Sequence, residues 1–263
     1  MKNIKSIDII STELDNYSIV SPGINTGIRE PDIVTGHDSR NYSILANSLQ
    51  EMAQNMVDEY TMIYESIKQY DGFYIGRYEL TGTVENPTLQ KGQKVLTADI
   101  AGNWYQLKKA CTNLIQAGQN ISAQSTMIYG NQWDEVLDWL EETGSKTFEQ
   151  INEDSSSWGN YNDYNTANNY TEDDPEYVAE AGTMVLPAGS SEYWKANNIY
   201  DLAGNARDWT QEANTTLDRV RRGGSYSGSG SGGPVADRGN NNSSDSLNLI
   251  SARPVLYITL SSE

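Results

Sequence analysis

Residues 198–210 read NIYDLAGNARDWT, and the fold of this chain turns on them. RVRRGGSY follows at 219–226 and ARPVLYI at 252–258. From Ser225 to Leu249 the chain runs for 25 residues, of which sixteen are Ser, Gly or Asn. Such composition ordinarily makes a flexible linker. A linker joins two things, yet only one short apolar segment comes after this one. The stretch therefore needs another explanation, and the segments around it supply one.

Composition narrows the field first. The chain has 263 residues, enough for one large domain or two small ones. Hydrophobic residues make up 37%, sufficient for a core, and 17 Tyr and 6 Trp stand against 2 Phe. Such rings suit binding surfaces, and equally a core rich in hydrogen bonds. The net charge of -18 repels nucleic acid and anionic lipid, so neither is expected as a partner. The single cysteine, Cys111, and single histidine, His37, exclude an internal disulfide, a Cys/His zinc site and a three-histidine iron site. A Ser-His-Asp triad would need His37, which lies in the polar run GHDSRNYS and reads as a surface residue. No apolar run has the length of a transmembrane helix, so no membrane insertion is expected. The opening MKNIKSIDIISTELDN lacks the apolar core of a signal peptide, and localisation stays open.

Periodicity gives the elements. Residues 1–44 read as irregular, with one short strand near Ser6–Ile10. Leu45, Leu49, Met52, Met56, Tyr60, Ile63, Ile67 and Tyr70 recur at steps of three and four, which predicts a helix of about seven turns ended by Asp71-Gly72. FYIGRYELTG predicts an alternating strand. Further helices are expected over Trp104–Gln116 and Asn131–Glu142. Aliphatic residues vanish from Asp154 to Asp174, which predicts a surface loop or insertion. ARPVLYITL reads as a last strand.

In order along the chain, GFYIGRYELTG, WYQLKKACTNL with its Trp seven positions before its Cys, YGNQWDEVLDWL, NIYDLAGNARDWT, RVRRGGSY and ARPVLYI resemble one family's motifs. The family is the formylglycine-generating-enzyme-like branch of the C-type lectin fold, whose pattern runs GLYDMxGNVWEWT, RVxRGGSW and a final GFR. The likeness covers roughly residues 73–260. It implies an α+β fold with helices around short antiparallel strands and long irregular loops. The organisation expected is a segment 1–44 followed by one domain, 45–263, with a variable-type region at about 222–257. The family's oxidases hold copper with two C-terminal cysteines, and its sulfoxide synthases hold iron with several histidines. No cysteine follows Cys111, which matches a structural helix position, and His37 stands alone. The resemblance thus carries a scaffold without the chemistry, and neither copper, iron nor catalysis is expected.

Among the non-enzymatic members are the variable proteins of diversity-generating retroelements, in which adenines of the C-terminal coding region are randomised. Asn, Ser, Gly, Asp, Leu and Tyr can all be reached from an AAC codon. Here they occupy Ser225, Tyr226, Ser227, Gly228, Asp237, Gly239, Asn240, Asn241, Asn242, Asp245, Leu247 and Leu249, the candidate ligand-binding positions. Pro234, Val235, Ala236 and Arg238 read as framework between them. Leu247 and Leu249 serve either as contacts on a binding face or as residues tucked into the core.

The resemblance also implies calcium at Asp201, Gly204, Ala206 and Asp208, the positions that match a family site. Asp208 is one methylene shorter than the usual Glu, and Arg207 adds a positive charge beside it. The alternative is a tight turn in which Asp208 caps amides or pairs with Arg221 or Arg222. Arg219, Arg221 and Arg222 read as structural ion pairs, with the gripping of an anionic ligand as the alternative. The expected function is a binding protein with a diversified C-terminal surface. Its expected partner is a protein or glycan on a target surface, and it is expected to dock to a phage tail or another assembly. A structural phage or prophage module without a variable site remains a second reading, and an oxidase a third that the missing ligands argue against.

Overall fold

The computed structural model describes residues 17–20, 41–115, 122–163, 181–215 and 217–259. His37 and the strand expected at Ser6–Ile10 lie outside them. A different strand, β1 (Tyr17–Val20), pairs antiparallel with β2 (Phe73–Gly76). Between the two runs α1 (Leu49–Tyr70). The helix starts later than its apolar face does, because the Ser48 side chain accepts from the Glu51 N–H and caps it there. Leu45 is left to the short 3-10 turn region before it, where it packs on the core with Tyr42 and Ile44. Asp71 closes the helix in the left-handed region, at φ 62°, donating its N–H to Ile67.

Further along come β3 (Thr81–Gly82), β4 (Pro87–Thr88), α2 (Ala98–Ala101) and α3 (Trp104–Asn113), which ends three residues before the expected Gln116. Then follow β5 (Ala123–Met127), α4 (Gly130–Glu142), α5 (Phe148–Asn152), β6 (Lys195–Ala196) and β7 (Ile199–Tyr200). The C-terminal part holds β8 (Arg207–Ala213), β9 (Asp218–Arg222), β10 (Gly239–Asn242), β11 (Ile250–Ala252) and β12 (Pro254–Ile258). The protein is thus α+β, with small sheets whose pairings are antiparallel except that β11 runs parallel to β8. Among the described residues no helix is long and apolar enough to cross a membrane.

Two four-stranded sheets organise the molecule, one ordered β1-β2-β12-β5 and the other β10-β9-β8-β11. The first has a core on each face. Tyr74 and Leu256 point into a cluster built with Met52, Met56, Trp104 and Trp209, while Phe73, Ile75 and Val255 point into a second one with Trp133, Val136 and Trp158. This corrects the alternating strand expected over FYIGRYELTG. The stretch is split: Phe73–Gly76 is buried on both faces, because helices and loops cover each side, and Thr81–Gly82 belongs to a separate two-stranded pairing with β4. The aliphatic-poor loop also differs from expectation where it is described. Trp158, Asn160 and Tyr161 are buried, since rings and an amide can enter an interior when their polar atoms find partners.

On α4, burial raises the carboxyl of Glu135 to about 7, and Asp138, Glu142 and Asp134 push it the same way. An acid whose folded value lies above its unfolded one favours folding below the unfolded value and loses that contribution as pH rises through the folded one. Glu135→Gln is therefore expected to melt higher than the parent at pH 8, with the difference vanishing towards pH 4. Thermal melts of both proteins across that range check this.

Candidate ligand-binding face

The Ser/Gly/Asn stretch is held along its length by groups that lie outside it. Tyr226 donates its N–H to the Asn205 carbonyl at 2.9 Å. Asn162 donates its backbone N–H to Gly228 and its side-chain amide to Ser227, each at 3.0 Å. Gly230 donates to Asp163 Oδ1 at 2.9 Å and accepts from the Ser155 N–H at 3.2 Å. The Tyr161 hydroxyl lies 2.9 Å from the Gly223 carbonyl and 3.1 Å from that of Gly233, drawing the two ends of the loop together. Trp133 Nε1 donates to Val235, whose N–H in turn donates to the Ser155 hydroxyl. Farther on, Ser243 donates to the Leu217 carbonyl and accepts from the Trp104 N–H, and Leu249 accepts from the Arg207 N–H. Val235 is buried in the second core and Ala236 packs against it. A linker would leave these backbone groups to water; here the surrounding fold takes them.

Gly224 shows how close the walls are. It has φ 73°, and a Cβ there would lie 2.4 Å from the Gly233 carbonyl and 2.5 Å from the Tyr161 hydroxyl. No other residue type combines that conformation with that approach.

The candidate side chains divide by exposure. Ser227 and Asn240 are exposed, and Tyr226, Gly228, Asp237, Gly239, Asn241, Asn242 and Asp245 are half-buried. Asn241 donates to Asp245 Oδ2 at 3.1 Å, and Asn242 Oδ1 accepts from the Ser244 N–H. Ser225 departs from the expected display: it is fully buried, and its hydroxyl accepts from Arg207 Nη1 at 2.6 Å. Leu247 and Leu249 are half-buried and pack against the main core, so each has one side inward and one towards the surface.

The four residues considered for calcium are Asp201, Gly204, Ala206 and Asp208, and all are buried. Asp208 Oδ2 accepts from Arg253 Nε at 3.0 Å, and Asp201 Oδ2 accepts from the Gly189 N–H at 2.6 Å. Arg253 also donates to the carbonyls of Gly76, Tyr200 and Asp201. Calcium asks for six to eight converging oxygens, roughly 2.4 Å away. The Arg253 guanidinium brings a fixed positive charge to the Asp208 carboxylate, one of the two side chains that such a set would need. Among the described residues no group of three or more His, Cys, Asp and Glu side chains is placed to hold a metal. In this structure Arg253 occupies the side of Asp208 on which a cation would compete with it. The arginine partner of Asp208 is Arg253, not Arg221 or Arg222; Arg222 pairs with Asp134 instead.

Sequence reasoning passed over five other participants. Glu79 is wholly buried, accepts from the Asn205 side chain and the Ala206 N–H, and has its carboxyl held well above the usual range by burial and by Asp201 and Asp208. Burial likewise raises Asp201 to about 7. Asn205, at φ 56°, is the hub: its side chain meets Glu79, Asn160 and Leu186, while its carbonyl takes Tyr226. Asn160, Tyr161 and Asn162 come from the segment read as loop, and no local signal marks them, because their partners lie more than 20 residues away in sequence. Cys111 sits in the main core, and burial pushes its thiol pKa up, which removes it from thiolate chemistry.

No family model matches the chain, and no curated protein does. Among solved structures it is similar to Treponema denticola variable protein 1, at 15% identity and TM-score 0.43, over 70% of this chain and 84% of that one. It is similar to CarF at 14% identity and TM-score 0.42, over 71% and 87%. The likeness to PvdO from Pseudomonas aeruginosa is 13% identity and TM-score 0.43, over 72% and 81%.

Removing Arg253 strands Asp208 without its buried counter-charge. Arg253→Met is expected to cost about 3–5 kcal/mol in urea unfolding, and added calcium is not expected to restore it. Arg253→Lys is expected to recover only part of the loss, since one ammonium cannot reach all four acceptors.

Proposed function

We propose that the chain is a non-catalytic binding protein that presents residues 226–249 to a ligand on a framework made elsewhere in the molecule. One observation carries this reading: residues outside the stretch hold its backbone at Tyr226, Ser227, Gly228, Gly230, Val235, Ser243 and Leu249. A surface of that construction keeps its shape when its outward side chains change, because few of those side chains secure it. The composition of the stretch suits a diversified region, in which small and polar residues are the common products. The motif resemblance to retroelement variable proteins supports the same reading. The target is a protein or glycan on another surface, and an assembly such as a phage tail carries the chain to it.

The proposal separates two sets of positions. Tyr226, Ser227, Asn240 and Asp245 replaced together are expected to change which ligand is captured, while each exposed change moves stability by no more than about 0.5 kcal/mol. Gly224→Ala, in the framework, is expected to cost about 1–3 kcal/mol through backbone strain. Calorimetry on both variants, with selection against a displayed peptide and glycan panel, tests the pair. Loss of the fold in the surface variant sinks the proposal. So does an unchanged ligand choice. At the level of DNA, the expectation is a reverse transcriptase gene nearby with a near-copy of the 3′ coding region that differs at adenines.

A further inference from the structure

Beneath the proposed face lie two guanidinium groups that the fold leaves without a carboxylate. In the pairing of β8 with β9, Trp209 stands opposite Arg221. Arg207 is two residues before Trp209, so strand alternation puts Arg207 and Arg221 on the same face of the sheet, diagonal to one another. Both are half-buried. Arg207 Nη1 donates to the Ser225 hydroxyl, and its Nε is buried with no partner among the described residues. Arg221 Nε donates to Asn241 Oδ1 at 2.6 Å. Neither forms an ion pair among the described residues, whereas Arg222, Arg238 and Arg253 are paired with Asp134, Glu212 and Asp208.

The molecule has 36 acidic residues against 18 basic ones, so an unpaired arginine is not for want of acids. Burial lowers the pKa of both guanidinium groups, and the charge of Arg221 lowers that of Arg207 further. Asp237 offsets part of this through space without making an ion pair with either group. Gly239 makes room for the second group: a Cβ there would fall 2.5 Å from Arg221 Nη1, so the guanidinium lies directly against the bare backbone of β10. Two like charges held side by side in a half-buried site cost free energy unless an anion joins them.

We propose that Arg207 and Arg221 form a constant anion grip under the variable surface, and that they take a carboxylate of the ligand, an Asp or Glu side chain on a protein target. The inference rests on the reading of this face as a binding surface and adds the chemical class of what it binds. A carboxylate matches the planar guanidinium fork, and two forks can share its oxygens. Acidic sugars carry the same group, but sugar rings are recognised largely by stacking on exposed aromatic faces. The exposed rings of the described residues are Tyr64, Tyr70, Phe148 and Tyr193, none of them in the stretch, and Tyr226 is half-buried. The observations therefore favour an acidic peptide. Because both arginines lie outside the candidate variable positions, the grip persists while the rim around it changes. Asp237 is one of those positions, and its identity sets how strongly the grip is masked.

The test follows the arginine Nε–H signals of the intact protein by NMR during titration with Ac-Ala-Glu-Ala-NH2, its Gln counterpart and 3′-sialyllactose. The Glu peptide is expected to shift the Arg207 and Arg221 signals to saturation, and the Gln peptide is not. Asp237→Asn is expected to bind the Glu peptide about threefold tighter or more, the size of a surface charge contact. Arg221→Lys keeps the charge but loses the fork, and is expected to bind more weakly with the melting temperature preserved. Equal responses to the Glu and Gln peptides overturn the proposal, as does an Asp237→Asn affinity at or below that of the parent. Saturation by sialyllactose with none by the peptide overturns the choice of a protein target. A surface that still switches ligands on exchange of its outward residues, but shows no response at these arginines, refutes the grip and leaves the binding function standing.

Discussion

Arg253 is the residue through which the two sheets and the turn between them become one body. Its guanidinium donates to Asp208 on β8, to the carbonyl of Gly76 on β2, and to those of Tyr200 at the end of β7 and Asp201 in the turn after it. With no exposure to water, each of those donors must be used within the protein. That requirement fixes the turn 201–206, and the turn fixes Asn205. Asn205 then holds Tyr226, the point at which the Ser/Gly/Asn stretch leaves the framework. The path from a buried ion pair to the proposed surface is thus a chain of obligatory hydrogen bonds.

The interior is polar where it meets this path and aromatic elsewhere. Five of the six tryptophans, at 104, 133, 158, 194 and 209, are among the largest fully buried side chains. Trp104 Nε1 donates to the Thr210 carbonyl and Trp133 Nε1 to Val235, so rings that fill the cores also grip irregular backbone. A core of aliphatic residues could supply the area but not those bonds. The wealth of Tyr and Trp, equally compatible in the sequence with a binding surface or a bonded core, serves in large part to pack an interior under long loops.

Much of the architecture was legible in the sequence. The apolar spacing of Met52, Met56, Tyr60 and Ile63 gave a helix and its buried face, and Asp71-Gly72 gave its end, because both depend on neighbours within four residues. The motifs around NIYDLAGNARDWT pointed to the fold class, and ARPVLYITL to the last strand. The partner of Asp208 was misjudged: Arg221 and Arg222 were nearer in sequence, and the structure used Arg253. The loop read between Asp154 and Asp174 was likewise only part of the matter, since Trp158, Asn160 and Tyr161 look polar or isolated in sequence and are interior in space.

By itself the sequence determined where the three longest helices lie, that the chain mixes helices with short strands, and that the enzymes' cysteine and histidine ligands are missing. Those properties follow from local periodicity and from residue counts. Only the tertiary structure decided that sixteen Ser, Gly and Asn residues in a run of 25 make a supported surface and not a tether. Composition reports what a backbone is free to do. Whether it keeps that freedom depends on who bonds to it, and here Ser155, Tyr161, Asn162 and Asn205 reach it from at least 20 residues away.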